Sequence, residues 1–66
     1  MSEIENSIIL SFAENDMSAT ETARNLNYHR NTIIYHLRRI RNKYGLDPQR
    51  FFDLVELVKI AKGGEG

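Results

Sequence analysis

The amino-acid sequence predicts an all-α domain of four short helices, and three observations carry that prediction. Apolar residues recur at helical spacings, as at Ile4, Ile8 and Phe12, and no segment alternates with a period of two. Helix starts at Ser2, Ser18, His29 and Asp47 are separated by turn-forming residues. With 66 residues the chain is one domain at most, close to the lower size limit for folding without staples. It has no cysteine and two histidines, so neither a disulfide framework nor a structural zinc site is expected, and no cofactor is implied. No apolar run approaches the roughly 18 residues of a membrane span, and the acidic N-terminus lacks the basic start of a signal peptide. The expectation is a soluble, cytoplasmic domain. So small a chain leaves little room for a substrate cleft, which favours a binding domain over an enzyme.

Helix one is expected over about 3–14. Ser2-Glu3-Ile4-Glu5 forms a capping box, in which each side chain satisfies a backbone N–H at the other end of the turn. Ile4, Ile8 and Phe12 make one apolar stripe, and Asn15-Asp16 ends the helix. Helix two, about 19–26, opens on a second capping box, Ser18-Ala19-Thr20-Glu21, and puts Ala19, Ala23 and Leu26 on one face. Asn27 is the natural left-handed residue after it, since Asn tolerates positive φ.

Helix three is expected over about 30–43, with His29 as N-cap and Tyr28 and Ile33 placed as a hydrophobic staple. Ile33, Leu37, Ile40 and Tyr44 line its inner side, and Gly45 stands where a left-handed cap would end it. Helix four is expected over about 48–61, with Asp47 as N-cap, Pro48 in the first helical position and Leu46 with Phe51 as staple. The domain would span 1–62, leaving Gly63-Gly64-Glu65-Gly66 as a flexible tail.

Helices two and three, joined by Asn27 to His29, have the turn length of a helix–turn–helix, and the small Ala23 suits the close crossing. Charge singles out the same segment. Nine basic and nine acidic residues cancel over the chain, yet Arg24, Arg30, Arg38, Arg39, Arg41 and Lys43 fall in a stretch without one acid. Everything before that stretch carries acids (Glu3, Glu5, Glu14, Asp16, Glu21) and no Lys or Arg. A basic helix on a helix–turn–helix support suits the major groove of double-stranded DNA. The alternative is a helical core with a solvated charged face.

A helical wheel places Asn31, Tyr35, Arg38, Arg39 and Asn42 opposite the apolar arc, with Arg30 and Arg41 on one flank and His36 and Lys43 on the other. Arg offers two parallel hydrogen bonds to guanine or phosphate, and Asn to adenine. His29, Arg30, Asn31 and Thr32, with Tyr35, are therefore the expected sequence-reading residues, and Arg38, Arg39, Arg41 and Lys43 the expected backbone contacts. His36 is a peripheral contact or simply exposed, and His29 a contact or a structural cap. Seven residues of helix separate the two histidines by about 10.5 Å, too far for one metal.

From Met17 to about Val58 the chain resembles the C-terminal helix–turn–helix of PucR/CdaR-type transcriptional regulators (the purine-catabolism and sugar-diacid group). The run that carries the resemblance is Ala23-Arg24, Asn27-Tyr28-His29-Arg30-Asn31-Thr32-Ile33, Tyr35, Leu37-Arg38-Arg39-Ile40 and Gly45-Leu46-Asp47. The broader pattern, a homeodomain-like three-helix core, is also similar to the Fis-like DNA-binding domain. The resemblance implies the DNA-binding end of a regulator, with His29 to Thr32 starting its recognition helix. Members usually carry Arg where this chain has Ile34, and often Arg where it has His36, which implies weaker nonspecific affinity here. The family's sensory region lies outside this sequence, so no effector response is expected from it.

Helix four is apolar beyond one stripe: Phe51, Leu54, Val55, Val58 and Ala61 can face a core, while Phe52, Leu57 and Ile60 fall elsewhere. Ile9 and Leu10 form a smaller surplus on helix one. Clustered apolar surface marks an interface. A homodimer, or contact with the family's sensory region, through helices one and four is the expectation, and a pure dimerisation module is the alternative function.

Overall fold

A computed structural model describes residues 1–63 and contains, among them, four helices and no strand. They are α1 (Glu3–Glu14), α2 (Ala19–Leu26), α3 (Arg30–Tyr44) and α4 (Phe51–Ala61). The all-α prediction holds. Of the expected tail, only Gly63 is among the described residues.

α1 is the hub of the packing. It lies against each of the other helices, α2 also packs on α3, and α4 packs on α1. The core therefore takes Ile8, Ile9 and Phe12 from α1, Ala23 from α2, Ile33, Leu37 and Ile40 from α3, and Leu54 and Leu57 from α4. A helix surrounded on several sides needs more than one apolar stripe. Hence Ile9 is 0% exposed, not part of a surface surplus, and Leu10 is half-buried.

The capping box of α1 is complete: Ser2 Oγ accepts from the Glu5 N–H at 3.2 Å, and Glu5 Oε1 accepts from the Ser2 N–H at 2.9 Å. That carboxylate is buried and does a second job. Its Oε1 also accepts from the Tyr44 hydroxyl at 3.1 Å, and Lys43 Nζ stands 3.9 Å from Oε2. The start of α1 is thus tied to the end of α3. The Ser2 N–H, helped by Tyr44 and Lys43, outweighs burial and holds the Glu5 carboxyl below the usual carboxylate range.

A depressed folded-state pKa gives stability that is fully present above the unfolded value of about 4.3 and is lost as pH falls through the folded value. Thermal melts from pH 7 to pH 3 are therefore expected to fall more steeply for the native chain than for Glu5→Gln. Parallel curves for the two proteins would remove the linkage.

The α1–α2 turn is tighter than the sequence indicated. Asp16 and Met17 both take positive φ, 55° and 64°, and the Met17 N–H donates to Phe12 O at 2.8 Å. Only half of the second capping box forms. Ser18 Oγ accepts from the Glu21 N–H at 3.1 Å, but the Ser18 N–H is already given to Asn15 O at 3.0 Å. With no donor left to reach, the Glu21 carboxylate pairs instead with Arg24 at 3.2 Å.

The start of α4 also departs from expectation, coming three residues after Pro48. Asp47 caps a single turn: its Oδ1 accepts from the Gln49 N–H at 2.9 Å, and its carbonyl accepts from the Arg50 N–H at 2.9 Å. Arg50 is extended (φ −107°, ψ 130°) and is the N-cap, while Pro48 is buried. From this later start α4 turns Leu54 and Leu57 inward and leaves Phe51 63% exposed, which excludes the Leu46–Phe51 staple. Leu57, assigned outward by the sequence pattern, is core.

Candidate nucleic-acid interface

The geometry of α3 is set by its two ends. At its start, Asn27 is left-handed (φ 60°, ψ 41°) and the Tyr28 N–H donates to Ala23 O at 2.9 Å, closing α2. His29 is extended and serves as N-cap through its backbone; its side chain makes no capping hydrogen bond. At its end, Gly45 takes φ +72° with open space where a side chain would project, so the dihedral alone calls for glycine. Between these ends Ile33, Leu37 and Ile40 are buried, with Tyr44 half-buried, on the predicted arc.

That seating presents the opposite face to solvent. Of the residues singled out for recognition, His29, Arg30, Asn31, Tyr35, Arg38 and Arg39 are exposed, and Thr32 and His36 are half-buried. Tyr35, 54% exposed, is not loose: Arg39 Nη1 donates to its hydroxyl at 3.2 Å and the guanidinium lies 5.8 Å from its ring centre. The His36 ring meets Tyr35 edge-on at 5.2 Å. Tyr35, His36 and Arg39 thus form one pre-arranged cluster on the outer surface, which sequence spacing placed together without indicating their contacts. Ile34, where the family usually has Arg, packs against the core.

The electrostatics are uneven. Among the described residues, ion pairs within 4.0 Å join Arg24 to Glu21, Lys43 to Glu5 and Lys59 to Glu56. None involves Arg30, Arg38, Arg39, Arg41 or Arg50, so the arginines of α3 keep their charge uncompensated by a close carboxylate. Among the same residues, no group of three or more His, Cys, Asp or Glu could hold a metal ion. Among the described residues, no helix is long and apolar enough to cross a membrane.

The flank of α3 carries a feature the sequence did not announce. Arg30, Ile34, Leu37, Arg38 and Arg41 form one wall of an open cleft of about 370 Å3, and Asp47 and Gln49 form the other. The sequence pattern puts Gln49 in the first turn of a helix and gives it no role; the polar Gln49-Arg50 pair following the basic helix is the signal for it.

A supporting helix, a three-residue turn and an exposed basic helix seated by an apolar arc define a helix–turn–helix domain. Residues 8–58 match the PucR C-terminal helix-turn-helix domain family, and the chain belongs to it. The match begins within α1, earlier than the resemblance from Met17, in keeping with the role of α1 as packing hub. No curated protein and no solved structure matches the chain.

Proposed function

We propose that the domain binds double-stranded DNA sequence-specifically, as the DNA-binding part of a transcriptional regulator, with the first turns of α3 in the major groove. The observation that carries this reading is the exposed face of α3, whose arginines, among the described residues, lack carboxylate partners within 4.0 Å. Uncompensated guanidiniums on one exposed helix are suited to phosphate and guanine, and they carry a cost in self-repulsion that a merely solvated face has no reason to bear.

Asn31 and Tyr35 are assigned to base edges, with His29 and Thr32 at the groove margin and His36 supporting Tyr35. Arg38 and Arg39 are assigned to the backbone. No catalytic role is assigned, and the cytoplasmic location expected from the sequence accords with a DNA partner. Selection of bound duplexes from a random pool tests the reading. A recovered consensus supports it, and unbiased recovery at low salt contradicts it.

A second reading concerns association. Phe52 is 81% exposed, Phe51 63% and Ile60 40%, and α4 with the end of α1 and the turn after it walls a mainly apolar groove of about 450 Å3 along Ala13, Met17, Phe51, Val55 and Val58, rimmed by Asp16, Lys59 and Lys62. This favours a homodimer built on α4, with α1 contributing only its end because Ile9 is core. Two copies related by a twofold axis would offer recognition helices to half-sites about 34 Å apart or a multiple. Phe52→Asp is expected to shift sedimentation toward the monomer while leaving the helical circular dichroism intact. A native chain that stays monomeric at high micromolar concentration would remove the dimer.

A further inference from the structure

The cleft beside α3 has a charge and shape that the recognition face does not account for. Three arginines line it, at Arg30, Arg38 and Arg41, and among the described residues none has a carboxylate within 4.0 Å. Its one acid, Asp47, is already committed, since Oδ1 accepts from the Gln49 N–H at 2.9 Å. The other lining residues of the α3 wall, Ile34 and Leu37, are apolar, which leaves the guanidiniums to supply its polar chemistry. Arg38 and Arg41 are one helical turn apart, and Arg30 lies about 12 Å further along the axis, so the positive charge forms a row and not a point. Across it stands the Gln49 side chain, exposed, on a turn fixed by Asp47 and the buried Pro48.

Arg30 also lines a second depression, with Phe12, Met17, Ala19, Ile34 and Gln49, that continues from the first. Its side chain therefore belongs to the flank, away from the outward face that holds Asn31 and Tyr35.

Resting on the DNA-binding reading, we infer that this cleft is a track for the phosphates of one DNA strand. Arg30, Arg38 and Arg41 bind the phosphate oxygens, and the Gln49 amide donates from the opposite wall. Arg30 is then a backbone residue and not a reader of bases. The turn at 47–50 becomes part of the interface, clamping the strand that borders the groove entered by α3. A carboxylate at position 49 would face the same phosphates and repel them.

The test is the salt dependence of binding to labelled duplexes of unrelated sequence, measured for the native chain, Arg41→Gln, Gln49→Glu and Arg39→Ala. All these positions are exposed, and unchanged circular dichroism serves as the control for folding. Each phosphate left without its arginine should reduce the slope of log K against log salt by about 0.9, and a carboxylate placed at position 49 should act in the same direction by opposing the neutralisation. Arg41→Gln and Gln49→Glu are expected to weaken binding to every duplex alike and to flatten the slope, as Arg30→Ala also should.

If the native chain binds and Arg39→Ala flattens the slope while Arg41→Gln and Gln49→Glu leave it unchanged, the cleft is not a phosphate track although the DNA reading stands. If the native chain binds no duplex even at low salt, the DNA reading itself fails. If Arg30→Ala weakens one sequence and spares the others, Arg30 reads a base and its place in the track is wrong.

Discussion

Leu57→Ala is expected to cost about 2–5 kcal/mol, the range for emptying a fully buried leucine site. For a domain of this size that is comparable to the whole folding free energy, roughly 0.05–0.15 kcal/mol per residue. A chemical-denaturation midpoint near zero denaturant, or a largely unfolded protein at 25 °C, is the anticipated result. Phe52→Ala on the same helix removes a larger side chain but, in dilute protein where the chain is monomeric, is expected to change stability by no more than about 0.5 kcal/mol, because Phe52 is 81% exposed and Leu57 is 0% exposed. The contrast follows from the side each residue occupies: at 100° per residue the two lie about 140° apart, so a helix that buries Leu57 turns Phe52 outward. Equal costs for the two substitutions would contradict the packing of α4 on α1 in the described register.

The second large effect concerns binding. On a preferred site, Asn31→Ala should lose about 1–3 kcal/mol, the worth of a good paired contact to one base, and should relax the preference at that position. Arg39→Ala should instead weaken all sequences and flatten the salt dependence. It should also loosen Tyr35, whose hydroxyl it holds at 3.2 Å. Tyr35→Phe removes that hydrogen bond while keeping the ring, so it separates the aromatic contact from the positioning of the arginine. Competition titrations with matched and mismatched duplexes measure all three. An Asn31→Ala protein with unaltered preference would remove Asn31 from the reading face.

Much of the fold was legible because local signals and tertiary packing agreed. Ser2 with Glu5, Asn27 and Gly45 are short-range chemistry, and each does at its position what its residue type favours. The inner arc of α3 was equally plain, since Ile33, Leu37 and Ile40 follow one periodicity against one side. Where the signals competed, the reading missed. Asp47-Pro48 is a good helix start in isolation, but the burial of Pro48 and the extended Arg50 turn it into a separate turn. Ile9 lies outside the single stripe of α1 yet is core because α1 is enclosed by three neighbours, and Leu57 is core because α4 turns it inward.

The candidate site divides in the same way. Exposure of Asn31, Tyr35, Arg38 and Arg39 follows from the helical wheel once the core arc is known. The pairing of Tyr35 with Arg39 and the cleft shared with Gln49 do not, since side-chain contacts and a turn from another segment are invisible to periodicity. The doubled function of Glu5, capping α1 while holding Tyr44 and Lys43 at the end of α3, is likewise a contact between residues distant in sequence.

The central claim is that α3 and its flank form the DNA-contacting surface. Titrating the 15N-labelled chain with a short duplex at low salt, and following its amide resonances, tests this residue by residue. The account predicts perturbations concentrated between Tyr28 and Asn42 and again at Asp47 to Arg50, with the exposed face of α4 around Phe52 and Ile60 unmoved. An unchanged spectrum, or shifts confined to α4 and the groove beside it, would contradict it.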